Sequence, residues 1–387
     1  MNILHVVTYF APCFSAGGVV NACYQIAKKQ VEDGHNVCVY TTDSCDERME
    51  FDSEYNVNID GIKVFYFKNL SHKLKTKLTI DTPLSLIHYM KKTINDFDII
   101  HIHEHRHTLA IITHHYAKKN NIPYVLQAHG SVLPFFQKEK LKEIFDKIWG
   151  FNILHDACRV LALSEVEKQQ YLKMNIEENR IEIVPLGINL KDYMNLPKKG
   201  SFKIKYNIKD NDKLLLFLGR IHKIKGLDLL IESLNNINNN NIKLAIVGGD
   251  YGFKNEIEKL INEYNLNDNV IFPGVLTGTE KIECLVDCDI FIMPSRYESF
   301  TTSGLEAMAS SKPLILTKNN HIHTWANNTV GLCCDFDKNE LSKCIETLLS
   351  NKELCEEFGE NGRKLIENKY NWNNIKIQIE NIYKSCF

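Results

Sequence analysis

Short apolar runs of strand length alternate with longer amphipathic stretches along the whole chain. In the first half the strand-like runs fall at 3–7, 37–41, 62–67, 98–103, 124–128, 159–163 and 181–185. Helical periodicity fills 20–33 and 165–174, and the mixed stretch 133–154 reads as one further helix. Residues 188–212 are polar, carry Pro197, Lys198, Lys199 and Gly200, and read as a linker. A second series follows, with strands expected at 214–218, 244–247, 270–272, 290–293 and 314–317 and helices at 227–234, 254–264 and 280–286. A final helical series starts near Asn339. Because a helix follows each strand, both halves predict doubly wound, parallel α/β sheets of the Rossmann-like kind. The expected division is 1–190, 191–370, and a terminal segment 371–387 that crosses back onto the first domain.

Length agrees with two domains, since 387 residues exceed what one hydrophobic core normally organises. Composition adds only exclusions. A formal net charge of −2 gives no support for nucleic acid as a partner. No run approaches the 18 or so apolar residues of a transmembrane helix, and the first strand is too short and polar for a secretory leader. The twelve cysteines are scattered, without a CxxC pair, and read as free thiols in a reducing cytoplasm.

The candidate chemistry sits at the ends of strands. The run 290–293 stops at Pro294, and Ser303 with Glu306 three residues later has the form of a capping box, so a helix should begin near Thr302. Glu298 and Glu306 then flank a helix amino end, whose free N–H groups suit a phosphate. Arg220 and Lys225 follow the first strand of the second half, beside Gly219 and Gly226. A guanidinium, an ammonium, a helix amino end and two carboxylates at one sheet edge suit a diphosphate bearing hydroxylated groups. Gly248 and Gly249 end the next strand. In the first half, Gly17-Gly18 sit in a strand–loop–helix turn, without the GxGxxG spacing of a dinucleotide site. His129 ends a strand, where ligands bind in open α/β sheets. His101, His103, His105 and His107 would share one face if their strand continued, which raises a metal site; substrate-facing or structural histidines are the preferred reading. The lysine-rich stretch 68–77 and the aromatic stretch 133–154, with Phe135, Phe136 and Trp149, raise contact with anionic lipid, against the plain alternatives of a solvated loop and a packing helix.

Taken together, Gly17-Gly18, the Gly34-His35 pair, His129-Gly130, Pro185-Leu186-Gly187, Gly219-Arg220, Lys225-Gly226, Gly248 and the Glu298…Glu306 spacing followed by Ala-Met-Ala resemble the retaining glycosyltransferases of the GT-B fold, within them family four. The resemblance runs over nearly the whole chain. It implies a hexose-type sugar moved from a nucleotide-diphosphate sugar, UDP- or GDP-linked, to a hydroxyl acceptor such as a glycan or lipid-linked glycan, in the cytoplasm or on the inner membrane face. No cofactor and no metal are implied. Arg220 and Lys225 would hold the diphosphate and Glu306 the ribose. Glu298 and His129 would lie near the transferred sugar. Gly17, Gly18, Gly219, Gly249, Phe300, Thr301 and Thr302 would complete the donor site. Thr301 and Gly304 depart from the family pattern, and Thr301 is expected to narrow the sugar pocket or add a hydroxyl contact. A nucleotide-sugar epimerase on the same fold and a non-catalytic sugar-nucleotide-binding member are the alternatives. A hydrolase using the two carboxylates is excluded, because even a continuous helix would separate them by roughly 12 Å along its axis, beyond the about 5–9.5 Å of paired glycosidase carboxylates.

Overall fold

The structure, a computed structural model, describes residues 1–45, 48–49, 56–71, 80–134, 138–237 and 241–387. Most of the lysine-rich stretch 68–77, together with Phe135 and Phe136, lies outside the described residues. The chain divides into two compact units, Met1–Leu186 with Trp372–Phe387, and Gly187–Asn371.

The sheet of the first unit contains β1 (Asn2–Val6), β2 (Asn36–Thr42), β3 (Asn56–Ile59), β4 (Ile62–Phe67), β5 (Ile99–His103), β6 (Tyr124–Gln127), β7 (Arg159–Ala162) and β8 (Ile181–Ile183). Its order is β3-β4-β2-β1-β5-β6-β7-β8, parallel except for the β3–β4 pair. Alternation along each strand feeds two cores. Leu4, Val6, Ile100 and Ile102 pack on one face with Leu109 and Leu126, while Val37, Val39, Val64, Cys23 and Ala27 pack on the other, under helix Gly18–Glu32. The terminal helix Trp372–Lys384 lies beside Gly18–Glu32: Tyr383 meets Gln30 and Lys376 pairs with Asp33.

The second unit holds β9 (Lys213–Leu218), β10 (Ile242–Val247), β11 (Val270–Gly274), β12 (Ile290–Met293), β13 (Leu314–Thr317) and β14 (Gly331–Cys334), all parallel, in the order β11-β10-β9-β12-β13-β14. Strands flanked by helices on both faces bury nearly every side chain, hence runs such as Ile-Phe-Ile-Met in β12.

Three expectations need correction. The stretch read as a linker is folded: it contains helix Ser201–Lys205, and the buried Asp287 carboxylate accepts from the backbone N–H groups of Gly200 (2.5 Å) and Lys203 (3.0 Å). Within the stretch 133–154 the described helical segment starts only at Glu139 and is not regular. A π-helical turn, Asp146–Gly150, separates Glu139–Phe145 from Phe151–His155, and in it the buried Asp146 turns inward to accept from Arg106 at 2.8 and 2.6 Å. Finally, four of the twelve cysteines are paired, as Cys13–Cys45 and Cys158–Cys386. The partners lie 32 and 228 residues apart in sequence, so only folding brings them together.

Candidate active site

In a doubly wound sheet the ligand crevice opens where strand order reverses, outside the carboxyl ends of the strands. In the second unit that point lies between β9 and β12. Both expected groups leave from there: Gly219 to Gly226 from β9, and Pro294 to Thr302 from β12.

The two loops are locked together through their backbones. Arg296 N–H donates to the Ile224 carbonyl at 2.8 Å. The Arg296 side chain donates to the Lys223 carbonyl at 2.7 Å, pairs with Asp228, and stacks over Phe336. Gly226, at φ +70°, begins the helix Leu227–Asn235, and a Cβ there would overlap the Pro294 carbonyl, so no larger residue fits. Arg296 was not anticipated from sequence, where a lone Arg beside a strand end reads as a surface charge.

Within this frame the Lys225 ammonium contacts the Glu298 carboxylate, with side chains only 14% and 11% exposed. The backbone of Glu298 is fixed by the loop after β13: its N–H donates to Asn319 (3.2 Å) and its carbonyl accepts from His321 (2.8 Å). Beside it, Ser295 Oγ, Asn320 Nδ2 and His321 Nδ1 are buried without a partner among the described residues. Burial holds the His321 ring down at about 4, so it is neutral at physiological pH. Arg220 is exposed, its guanidinium 5.2 Å from the centre of the Tyr251 ring. Gly219 and Gly249 lie on adjacent turns that continue the β9–β10 pairing, through Gly219 N–H to Val247 (2.9 Å) and Ile221 N–H to Gly249 (2.8 Å).

The helix after β12 spans Thr302–Ala309, as expected, but its cap differs. Thr301, not Ser303, is the N-cap, its Oγ1 accepting from Gly304 N–H at 3.1 Å. Glu306 does not close a capping box; its carboxylate accepts from Lys281 Nζ at 2.5 Å. Thr301 and Gly304 therefore explain each other. A Cβ at residue 304 would come within 2.6 Å of the Thr301 methyl, so the threonine fills the space that the glycine leaves. Thr301 is buried, with its hydroxyl engaged in the cap and with Ser303 (3.0 Å). It does not present a free hydroxyl to a pocket. Phe300 is likewise buried, edge-on to Trp325 at 5.4 Å, whereas Thr302 and Glu306 are part-exposed.

In the first unit the sheet order reverses between β1 and β5. Gly17, at φ +117°, and Gly18 form the turn into helix Gly18–Glu32, with open space where a Cβ would stand. The four alternate histidines separate after β5, because Glu104 takes a left-handed conformation (φ +63°) and ends the strand. His107 caps helix Thr108–Asn120 by accepting from Ala110 N–H, and His105 lies 3.5 Å from Asp146. Only His101 and His103 keep one face, joined by His5 of β1 and by His129 after β6. Among the described residues, the group of three ligand-type side chains within 4.8 Å of one another is His5, Cys23 and His103, fully enclosed.

His129 is itself left-handed (φ +52°), and the turn it begins is held from helix Glu165–Lys173 by Glu167. The buried Glu167 carboxylate accepts from Gly130 N–H and Leu163 N–H, each at 2.6 Å, while Glu167 N–H donates to Ser164 Oγ at 3.3 Å. Burial pushes the Glu167 carboxyl up to about 7, against those two hydrogen bonds.

With this geometry in hand, comparison with known proteins gives a consistent answer. Residues 198–365 match the family described as Glycosyl transferases group 1, and residues 16–192 match Glycosyltransferase Family 4. This chain belongs to the GT-B glycosyltransferases of the family-four type. The glycosyltransferase is 24% identical to one from Methanocaldococcus jannaschii over 98% of this chain and 97% of that protein. It is 28% identical to the capsular polysaccharide biosynthesis glycosyltransferase CapM of Staphylococcus aureus, over 59% of this chain and 62% of the relative. Crystal structures of Anabaena HepE with UDP and with UDP-glucose cover all of both chains, with TM-scores of 0.79 and 0.78 at 17% and 18% identity.

Proposed function

We propose that the glycosyltransferase moves a hexose-type sugar from a UDP- or GDP-sugar to a hydroxyl of a glycan or lipid-linked acceptor, with retention and without a metal ion. The observation that carries this reading is that the loops bearing Arg220, Lys225 and Glu298 leave one switch point with their backbones locked together and Lys225 in contact with Glu298, while Glu306 lies on the helix that follows the second loop. Arg220 and Lys225 take the diphosphate and stabilise the charge that builds on it as the glycosidic bond breaks. The N–H groups of Thr302 and Ser303, at the start of helix Thr302–Ala309, add neutral donors. Glu306 accepts from ribose hydroxyls and Glu298 from hydroxyls of the sugar. As the bond from the anomeric carbon to the phosphate oxygen breaks, the acceptor oxygen bonds to that carbon from the same face. The departing phosphate oxygen takes the acceptor proton, so no separate base is required.

The test is incubation with UDP-, GDP- and ADP-sugars and a hydroxyl acceptor, with and without EDTA, followed by NMR of the product anomer. An inverted anomer, or loss of turnover in EDTA, overturns the corresponding part. Consumption of donor without acceptor overturns transfer itself.

We further propose that the Glu139–His155 segment touches the acceptor's membrane. Leu141 (63% exposed), Ile144, Ile148 and Trp149 (41%) face solvent among Lys140, Lys142 and Lys147, a combination suited to an anionic bilayer surface. No helix of the described residues is long and apolar enough to cross a membrane. Co-sedimentation with phosphatidylglycerol vesicles that is unchanged in Leu141→Ser/Trp149→Ser counts against the contact. The proposed site of action is the cytoplasmic side, where nucleotide sugars are made.

A further inference from the structure

A stripe of imidazoles runs through the middle of the first sheet, where neighbouring positions are apolar. His5 on β1 stands in register with His101 on β5, and His103 and His129 continue the line towards the carboxyl ends of the strands. His5, His101 and His103 are completely buried. Burial holds His5 down at about 4 and His129 at about 3, and His101 and His103 well below the usual histidine range. All four rings are neutral at physiological pH.

A neutral imidazole carries one N–H and one bare nitrogen, so hydrogen bonds between such rings fix each other's direction. The chain starts at Gln30 on helix Gly18–Glu32. Its amide nitrogen donates to the Tyr383 hydroxyl at 3.2 Å, which leaves Oε1, an acceptor only, facing His5 Nε2 at 2.7 Å. His5 therefore carries its proton on Nε2 and leaves Nδ1 bare. That nitrogen lies 2.9 Å from His103 Nε2 and accepts from it. His103 Nδ1 is then bare, 2.9 Å from His129 Nε2, and accepts in turn. The result at the outer end is His129 as the Nε2–H tautomer, with Nδ1 bare. His129 Nδ1 has no partner among the described residues and is not among the enclosed polar atoms that lack one.

We propose that Gln30, His5 and His103 are positioning residues that hold His129 in this single tautomer, so that Nδ1 offers a lone pair to a hydroxyl of the sugar substrate. The chain sets a state and does not carry protons, because the Gln30 amide cannot pass one on. The role in sugar recognition rests on the glycosyltransferase reading above; the tautomer itself does not. A substrate whose hydroxyl at this point is removed or methylated loses the contact, whereas the opposite tautomer would reject a donor there.

The full chain labelled with ¹⁵N in its histidine rings tests the proposal at neutral pH through long-range ¹H–¹⁵N correlations. The expected pattern is a protonated Nε2 and a bare Nδ1 for His129. A protonated Nδ1, or averaging between the two forms, overturns the proposal without any variant having to fold. Gln30→Met removes the anchoring acceptor and is expected to release His129 into a mixture of tautomers. Gln30→Glu keeps an acceptor and is expected to preserve the wild-type pattern. In transfer assays kcat/KM should fall about tenfold in Gln30→Met, the scale of one lost hydrogen bond, and recover in Gln30→Glu. Loss of activity in Gln30→Met with an unchanged His129 tautomer overturns the positioning role. Absence of any transfer by the wild-type protein counts against the glycosyltransferase reading and leaves the tautomer result standing.

Discussion

Replacing Lys225 by Met keeps the length of the side chain and removes its charge. The Lys225–Glu298 pair is nearly enclosed, so the change strands a carboxylate. Fully buried pairs lose roughly 3–5 kcal/mol when one partner goes; with 14% and 11% exposure here, a cost of about 2 kcal/mol is expected. For a unit of this size that lowers Tm by about 4–8 °C. The effect on transfer has a different origin. A charge-assisted hydrogen bond to the diphosphate contributes about 1.5–3 kcal/mol, so kcat/KM should fall roughly 10- to 150-fold. The double variant Lys225→Met/Glu298→Gln separates the two effects. With neither charge present it should regain most of the lost Tm and none of the lost transfer. Scanning calorimetry and initial rates with saturating acceptor measure both quantities. Recovery of transfer in the double variant would show that Lys225 acts only by neutralising Glu298, and would refute its assignment to the diphosphate.

Glu306→Ala should raise the donor KM about tenfold with a smaller change in kcat, because ribose contacts are equal in ground and transition states; a selective fall in kcat contradicts the ribose role. Stability should fall by about 3 kcal/mol as pH rises from below 4.5 to above 7, since unfolded Glu167 releases its proton near 4.5 and the folded carboxyl keeps it to about 7. Urea unfolding at pH 5 and 7.5 should lack that loss in Glu167→Gln, which is less stable overall because an amide N–H must face a backbone N–H. Gly248 lies at φ +148°, and a Cβ there would overlap the Gly219 carbonyl; Gly248→Ala should cost about 2 kcal/mol in chemical denaturation. Alkylation of the denatured, unreduced protein should modify eight of the twelve cysteines. Modification of all twelve would refute both bridges.

Most of the strand–helix alternation and the strand ends that lead to Arg220, Lys225, Glu298 and Glu306 were legible in the sequence, whereas the antiparallel β3, the edge strand β14 and the helices Leu84–Thr93 and Thr108–Asn120 were not. What was legible follows from local periodicity and from glycine or proline punctuation, which act over a few residues. What a side chain meets was not legible, because its partner comes from another strand. Glu167 has the spacing of a capping box, yet its carboxylate reaches the Gly130 turn from a different element. Thr301 and Gly304 look like two departures from a family pattern, and only the packed cap makes them one compensated change. Glu306 was expected to cap its own helix and instead meets Lys281. The cysteines give no pairing signal across separations of 32 and 228 residues. The histidines show the limit most plainly. A period of two placed His101 and His103 on one face, but their hydrogen-bond partners are Tyr383 for His101, and His5 and His129 for His103. Those residues are drawn from a second strand, a helix and a turn, and become neighbours only once the sheet has formed.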